Sequence, residues 1–85
     1  MGKTVPAYRM VLEWEIKQWA SFRKAICSEE AKNAFDQLMD MCRENAAASG
    51  NACNPIIFEP MVMSILLTQE KKLQALEYKL CKVML

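Results

Sequence analysis

The stretch PMVMSILLTQEKKLQALEYKLCKVM, Pro60–Met84, decides the fold. Proline is well tolerated at the first position of a helix, where its missing N–H has no partner to lose, and no glycine or further proline follows. The spacing therefore predicts a helix over residues 60–84. Its opening turns, Met61-Val62-Met63-Ser64-Ile65-Leu66-Leu67, are apolar nearly all round, so they require neighbours on more than one side. Val62, Leu66, Gln69, Leu73, Leu76, Leu80 and Val83 then follow an alternating spacing of four and three residues, the signature of a coiled-coil seam with one polar position, Gln69. About 25 helical residues rise roughly 38 Å, so part of this helix is expected to overhang whatever it packs against.

Working toward the N-terminus, a first helix is expected from about residue 5 to 26, with Thr4 as N-cap and Pro6 in the first turn. Tyr8, Val11, Leu12, Ile16, Trp19, Phe22 and Ile26 fall on one broad stripe at helical spacing. Glu15 sits within that stripe and needs a partner, expected to be a lysine or arginine of a neighbouring helix. Met10 and Trp14 form an apolar pair one turn apart on the opposite side, suited to contact with a second chain. A second helix is expected over 29–48, capped by Ser28 and opened by Glu29 and Glu30. Ala31, Phe35, Leu38, Met39, Cys42 and Ala46 form its apolar face. The short joint between the two helices predicts an antiparallel hairpin. Residues 49–59 read as a loop, with Gly50 placed for a left-handed helix end and with Cys53, Ile56, Ile57 and Phe58 folding back as a plug.

The fold class that results is all-α: a three-helix bundle, made of a hairpin plus a longer C-terminal helix, in one domain over residues 1–85 and expected to dimerise. The 85 residues are 53% hydrophobic with two glycines and three prolines, which excludes a disordered tail and a turn-rich β-sandwich. A chain this small buries only about 60–65% of its unfolded surface, so its stability margin is thin and a second chain would widen it.

Composition also narrows the chemistry. The net charge is +1, which supplies no global field toward nucleic acid or an acidic membrane, and there is no histidine, the commonest general base and metal ligand. The longest apolar run is far short of the roughly 20 residues that span a bilayer, and the N-terminus lacks the apolar core of a secretory signal, so a cytoplasmic location is expected. Cys27, Cys42, Cys53 and Cys81 include no C-x-x-C pair, and free thiols are the expected state. Asp36, Asp40 and Glu44 make an acidic ridge, but no facing acidic pair completes a magnesium site, and Lys32 and Arg43 lie within a turn of it. No enzyme, cofactor, metal or small-molecule substrate is expected.

Three strings, MGKTVPAYRMVLEWEIKQWASFRKA, FDQLMDMCRENAAASG and FEPMVMSILLTQEKKLQALE, resemble a group of short, uncharacterised archaeal helical proteins over nearly the whole chain. The resemblance implies a helical fold and an archaeal cytoplasmic setting, and no activity.

The functional reading is thus a non-enzymatic interaction module that self-associates as a homodimer, with room for an unidentified protein partner. The residues expected to carry it are Met10, Trp14, Met61, Met63, Leu66, Leu73, Leu76, Leu80 and Val83. The alternative is a small nucleic-acid-binding protein using Arg9, Lys17, Arg23 and Lys24 of the first helix with Lys71, Lys72, Lys79 and Lys82 of the last. The long loop before the last helix departs from a helix-turn-helix joint and counts against it.

Overall fold

The computed structural model describes residues 7–52 and 54–84, and among them every regular element is a helix: α1 Tyr8–Gln18, α2 Ala20–Ala25, α3 Glu29–Glu44, α4 Ala46–Asn51 and α5 Phe58–Met84. The all-α class holds, while the simple three-helix layout is corrected. Each of the two hairpin helices is divided by a one-residue turn, the first at Trp19 and the second at Asn45, and the loop shrinks to the residues between Asn51 and Phe58. Thr4, Pro6 and Cys53 lie outside the described residues.

Each break carries its own local hydrogen bonding. At Trp19 the backbone leaves helical values (φ −90°, ψ 6°) and its N–H bonds to the carbonyls of Ile16 and Lys17. The turn re-aims the rest of the predicted stripe: Trp19 meets Phe22 edge-on at 5.6 Å and stacks on Phe58 at 5.8 Å, while Phe22 lies 5.7 Å from Phe35 of α3. Asn45 sits at the second break with its side-chain amide donating to the Met41 carbonyl at 2.8 Å, a local bond that competes with helix continuation. Ser28 caps α3 as expected, its hydroxyl accepting from the Ala31 N–H at 3.1 Å.

Gly50 has a different role from the one its sequence position suggests. It lies inside α4 rather than in a left-handed turn, and a β-carbon there would stand 3.3 Å from Cβ of Tyr8. Glycine thus lets α4 approach α1 closely. Pro60 is the third residue of α5, still within the turn whose N–H groups have no intrahelical partner.

The core is small. Leu12 and Cys42 are 1% exposed, and Met39, Ala46 and Met61 complete the buried cluster, with Tyr8, Ile16, Phe35, Leu38, Ile57 and Ile65 packed around it. Ile57 fulfils part of the expected plug, whereas Ile56 and Phe58 stay about half exposed. The Cα envelope measures 61 × 33 × 14 Å. Its thinnest dimension fits two packed helix layers, because Cα atoms lie about 2.3 Å from a helix axis and packed axes lie about 8–10 Å apart.

Two arginines clip the N-terminal helices to α3. Arg43 grips both carboxylate oxygens of Glu13, at 2.7 and 3.1 Å, and reaches Asp40 at 2.7 Å. Arg23 grips both oxygens of Asp36 at 2.8 and 2.9 Å. Two members of the acidic ridge are therefore already engaged by guanidinium groups. Glu15 differs from expectation: it accepts from the indole N–H of Trp19 at 3.3 Å rather than from a basic side chain of another helix.

Two outcomes follow for stability. Met61→Ala, at a position 2% exposed, should destabilise the fold by roughly 2–4 kcal/mol in urea unfolding. The hydrogen bonds and charges of Arg43 and Arg23 hold the Glu13 and Asp36 carboxyls below their ordinary pKa values. A folded-state pKa below the unfolded one adds stability that is present above the unfolded value and lost as pH falls through the folded value. The urea midpoint should therefore drop below about pH 4.5, and the Glu13→Gln, Asp36→Asn double variant should show a shallower acid limb.

Candidate self-association surface

The helix α5 carries two separate apolar faces. The first serves the core: Pro60, Met61, Ser64 and Thr68 are buried, with Ile65 partly so. Its polar members are satisfied across the junction with α3 and α4. Asn45 donates to the Thr68 hydroxyl at 2.9 Å, and the Ser49 and Ser64 hydroxyls are 2.9 Å apart. Because Ser64 donates its single proton to the Pro60 carbonyl at 2.8 Å, Ser49 is the donor to Ser64. The Cys42 thiol approaches the Met61 carbonyl at 3.6 Å, and burial raises its pKa, which makes it an inert core thiol rather than a nucleophile.

The second face is the heptad seam. At about 100° per residue its centre lies roughly 130° around the helix from the core face. The hairpin consequently covers little of it: Val62 is partly buried, whereas Leu66, Leu73, Leu76, Leu80 and Val83 are 53–82% exposed. Every residue from 69 to 84 is exposed, and this half of the helix extends about 24 Å past Thr68, the last buried residue. Its internal support is local, with Gln74 donating to Glu70 at 3.1 Å and the Lys82 ammonium 5.2 Å from the centre of the Tyr78 ring.

The remaining expected surface residues divide. Met63 is 65% exposed and, with Leu67, borders a groove of about 320 Å³ walled by Ala48, Ser49 and Ala52. Met10 and Trp14 are half exposed on α1, outside the aromatic cluster around Trp19. Met61 is corrected: at 2% exposure it belongs to the core and has no surface to offer a partner. Leu67, Tyr78 and Met84 are further exposed apolar residues that the heptad reading passes over. Their heptad neighbours mark only the seam, and the all-round apolar opening of α5 is the signal that pointed to Leu67.

The exposed area sets the scale of what is uncovered. A compact protein of 9.7 kDa exposes about 5,100 Å². This chain exposes 6816 Å², a surplus of about 1,700 Å² and so roughly twice the 800 Å² or so that each partner contributes to a standard interface. Of the cysteines in the described residues, Cys27 and Cys81 are exposed free thiols and Cys42 is buried. Among those residues no group of three acidic or thiol side chains converges as a metal site, and no helix is long and apolar enough to cross a membrane.

The chain belongs to the family described as a domain of unknown function, DUF8156, which it matches over residues 1–84. No curated protein and no solved structure matches it.

Because no described residue beyond Thr68 is buried, a chain ending at Gln69 should keep the folded body. In dilute solution its near-ultraviolet spectrum and urea midpoint should match those of the full chain within about 0.5 kcal/mol.

Proposed function

We propose that this protein is a non-enzymatic interaction module that forms a homodimer through the heptad seam of α5. One observation carries the reading: the seam runs without a slip from Val62 to Val83, and the chain's own core uses a different face of the same helix. A heptad inside a monomeric bundle would point at the hairpin, where here Met61, Ser64 and Thr68 point instead. A stripe of leucines left in water along an extended helix is costly at about 25 cal/mol per Å², and a second copy supplies matching knobs and holes. The exposed area supports the same reading. Met10, Trp14 and Met63 extend the proposed surface beyond the seam.

The nucleic-acid alternative gains no support from the geometry. Arg23 is committed to Asp36 through two hydrogen bonds, and Glu13 and Asp36 place carboxylates among the basic residues of α1 and α2. A cytoplasmic, archaeal setting belongs to the proposal through the sequence resemblance, and exposed free thiols fit a reducing compartment.

Sedimentation equilibrium at micromolar concentration should give twice the chain mass of 9.7 kDa. Leu73→Asp with Leu80→Asp should return the mass to that of one chain while leaving the folded body intact, since both positions are over half exposed in the single chain. A wild-type protein that stays monomeric throughout this range overturns the proposal.

A further inference from the structure

We infer that the second copy docks parallel and in register, so that both folded bodies lie at the same end of a two-stranded coiled coil. This rests on the self-association reading and adds the orientation that the flanking charges dictate. With the seam in the usual lettering, Leu66, Leu73 and Leu80 are a positions, and Val62, Gln69, Leu76 and Val83 are d positions. The residues flanking the seam are then Glu70 and Glu77 at e and Lys72 and Lys79 at g, all exposed in the single chain. One edge of the seam is acidic and the other basic.

That segregation discriminates between orientations. In a parallel pair the g residue of one helix faces the e residue five positions on in its partner, so Lys72 meets Glu77 of the second copy, twice by symmetry. In an antiparallel pair g faces g and e faces e. Lys72 would then oppose Lys79, and Glu70 would oppose Glu77, each twice, and every flanking charge in the coil would meet its like. The single polar position points the same way. Parallel, in-register packing sets Gln69 against Gln69 across the two-fold axis, where the two side-chain amides can bond to each other. Full-length antiparallel packing sets Gln69 against Leu73 or Leu80 and leaves its amide facing hydrocarbon. Cys81 falls at a b position, on the outer surface, so the parallel dimer forms without a bridge between the two Cys81 thiols.

Charge reversal tests the sign. In the parallel dimer, Glu77→Lys sets a second ammonium group against that of Lys72 and should raise the dissociation constant about 5-fold or more at low salt, and adding Lys72→Glu should restore it. In an antiparallel dimer Glu77→Lys creates attraction to Glu70 and would lower the dissociation constant, which overturns the inference. An independent reading uses Leu80→Cys in a chain carrying Cys27→Ser, Cys53→Ser and Cys81→Ser, with buried Cys42 retained. Mild oxidation should link two chains through position 80. A dimeric mass with no such link, but with a link in the Gln69→Cys, Leu80→Cys variant, overturns the orientation while leaving self-association standing. A monomeric mass overturns both, and a trimeric or larger mass overturns the two-stranded assembly.

Discussion

The contact between α3 and the first half of α5 is the constraint on which the rest of the structure depends. Met61 closes the cluster of Leu12, Met39, Cys42 and Ala46, and beside it Asn45, Ser49, Ser64 and Thr68 bond across the junction. A purely apolar face could slide along the helix by a turn with little loss. Hydroxyl and amide groups that are buried must find their partners, and a one-turn slip would orphan them at about 1–3 kcal/mol each. The polar ladder therefore fixes the rotation and height of α5 on the hairpin, and with them the direction in which the seam points.

That contact also explains why both hairpin helices are broken. A straight helix can present one stripe to one neighbour, yet the N-terminal segment must meet α3, α4 and the start of α5. The turn at Trp19 lets Leu12 and Ile16 face the core while Phe22 and Arg23 reach over α3. The turn at Asn45 likewise frees α4 to tuck Gly50 against Tyr8 and puts the Asn45 amide where Thr68 needs it.

These features explain how much could be read in the sequence. Periodicity placed helices in the right places, and most of the core cluster follows from it, because Leu12, Met39, Cys42 and Ala46 repeat at helical spacing. The breaks could not be read this way: neither Trp19 nor Asn45 is a strong helix breaker, and each turn exists because a distant element rewards it. Gly50 illustrates the same limit, since a glycine near a helix end signals a left-handed turn as readily as a close approach of two backbones. The seam was legible as a repeat, but the side facing the hairpin was not. Met61 and Leu66 are equally apolar in sequence, and only the hydroxyls of Ser64 and Thr68, which seek Ser49 and Asn45, single out the inner face.

Carrying the seam on an extension of a core helix has a physical advantage over carrying it on a separate tail. An isolated helix of the length that overhangs here is marginal in water, because its first turn must form at a nucleation factor of about 10⁻³, or roughly 4 kcal/mol. In α5 that turn is already formed and held against α3 and α4, so residues beyond Thr68 only propagate an existing helix. Each added residue then contributes a backbone hydrogen bond for its lost freedom, and the i,i+4 contacts of Glu70 with Gln74 and of Tyr78 with Lys82 add a few tenths of a kcal/mol apiece. The folded body thereby presents the leucines at 73, 76 and 80 along a common line before any partner arrives. Association through that line would have less ordering entropy to offset than the pairing of two free peptides of the same sequence.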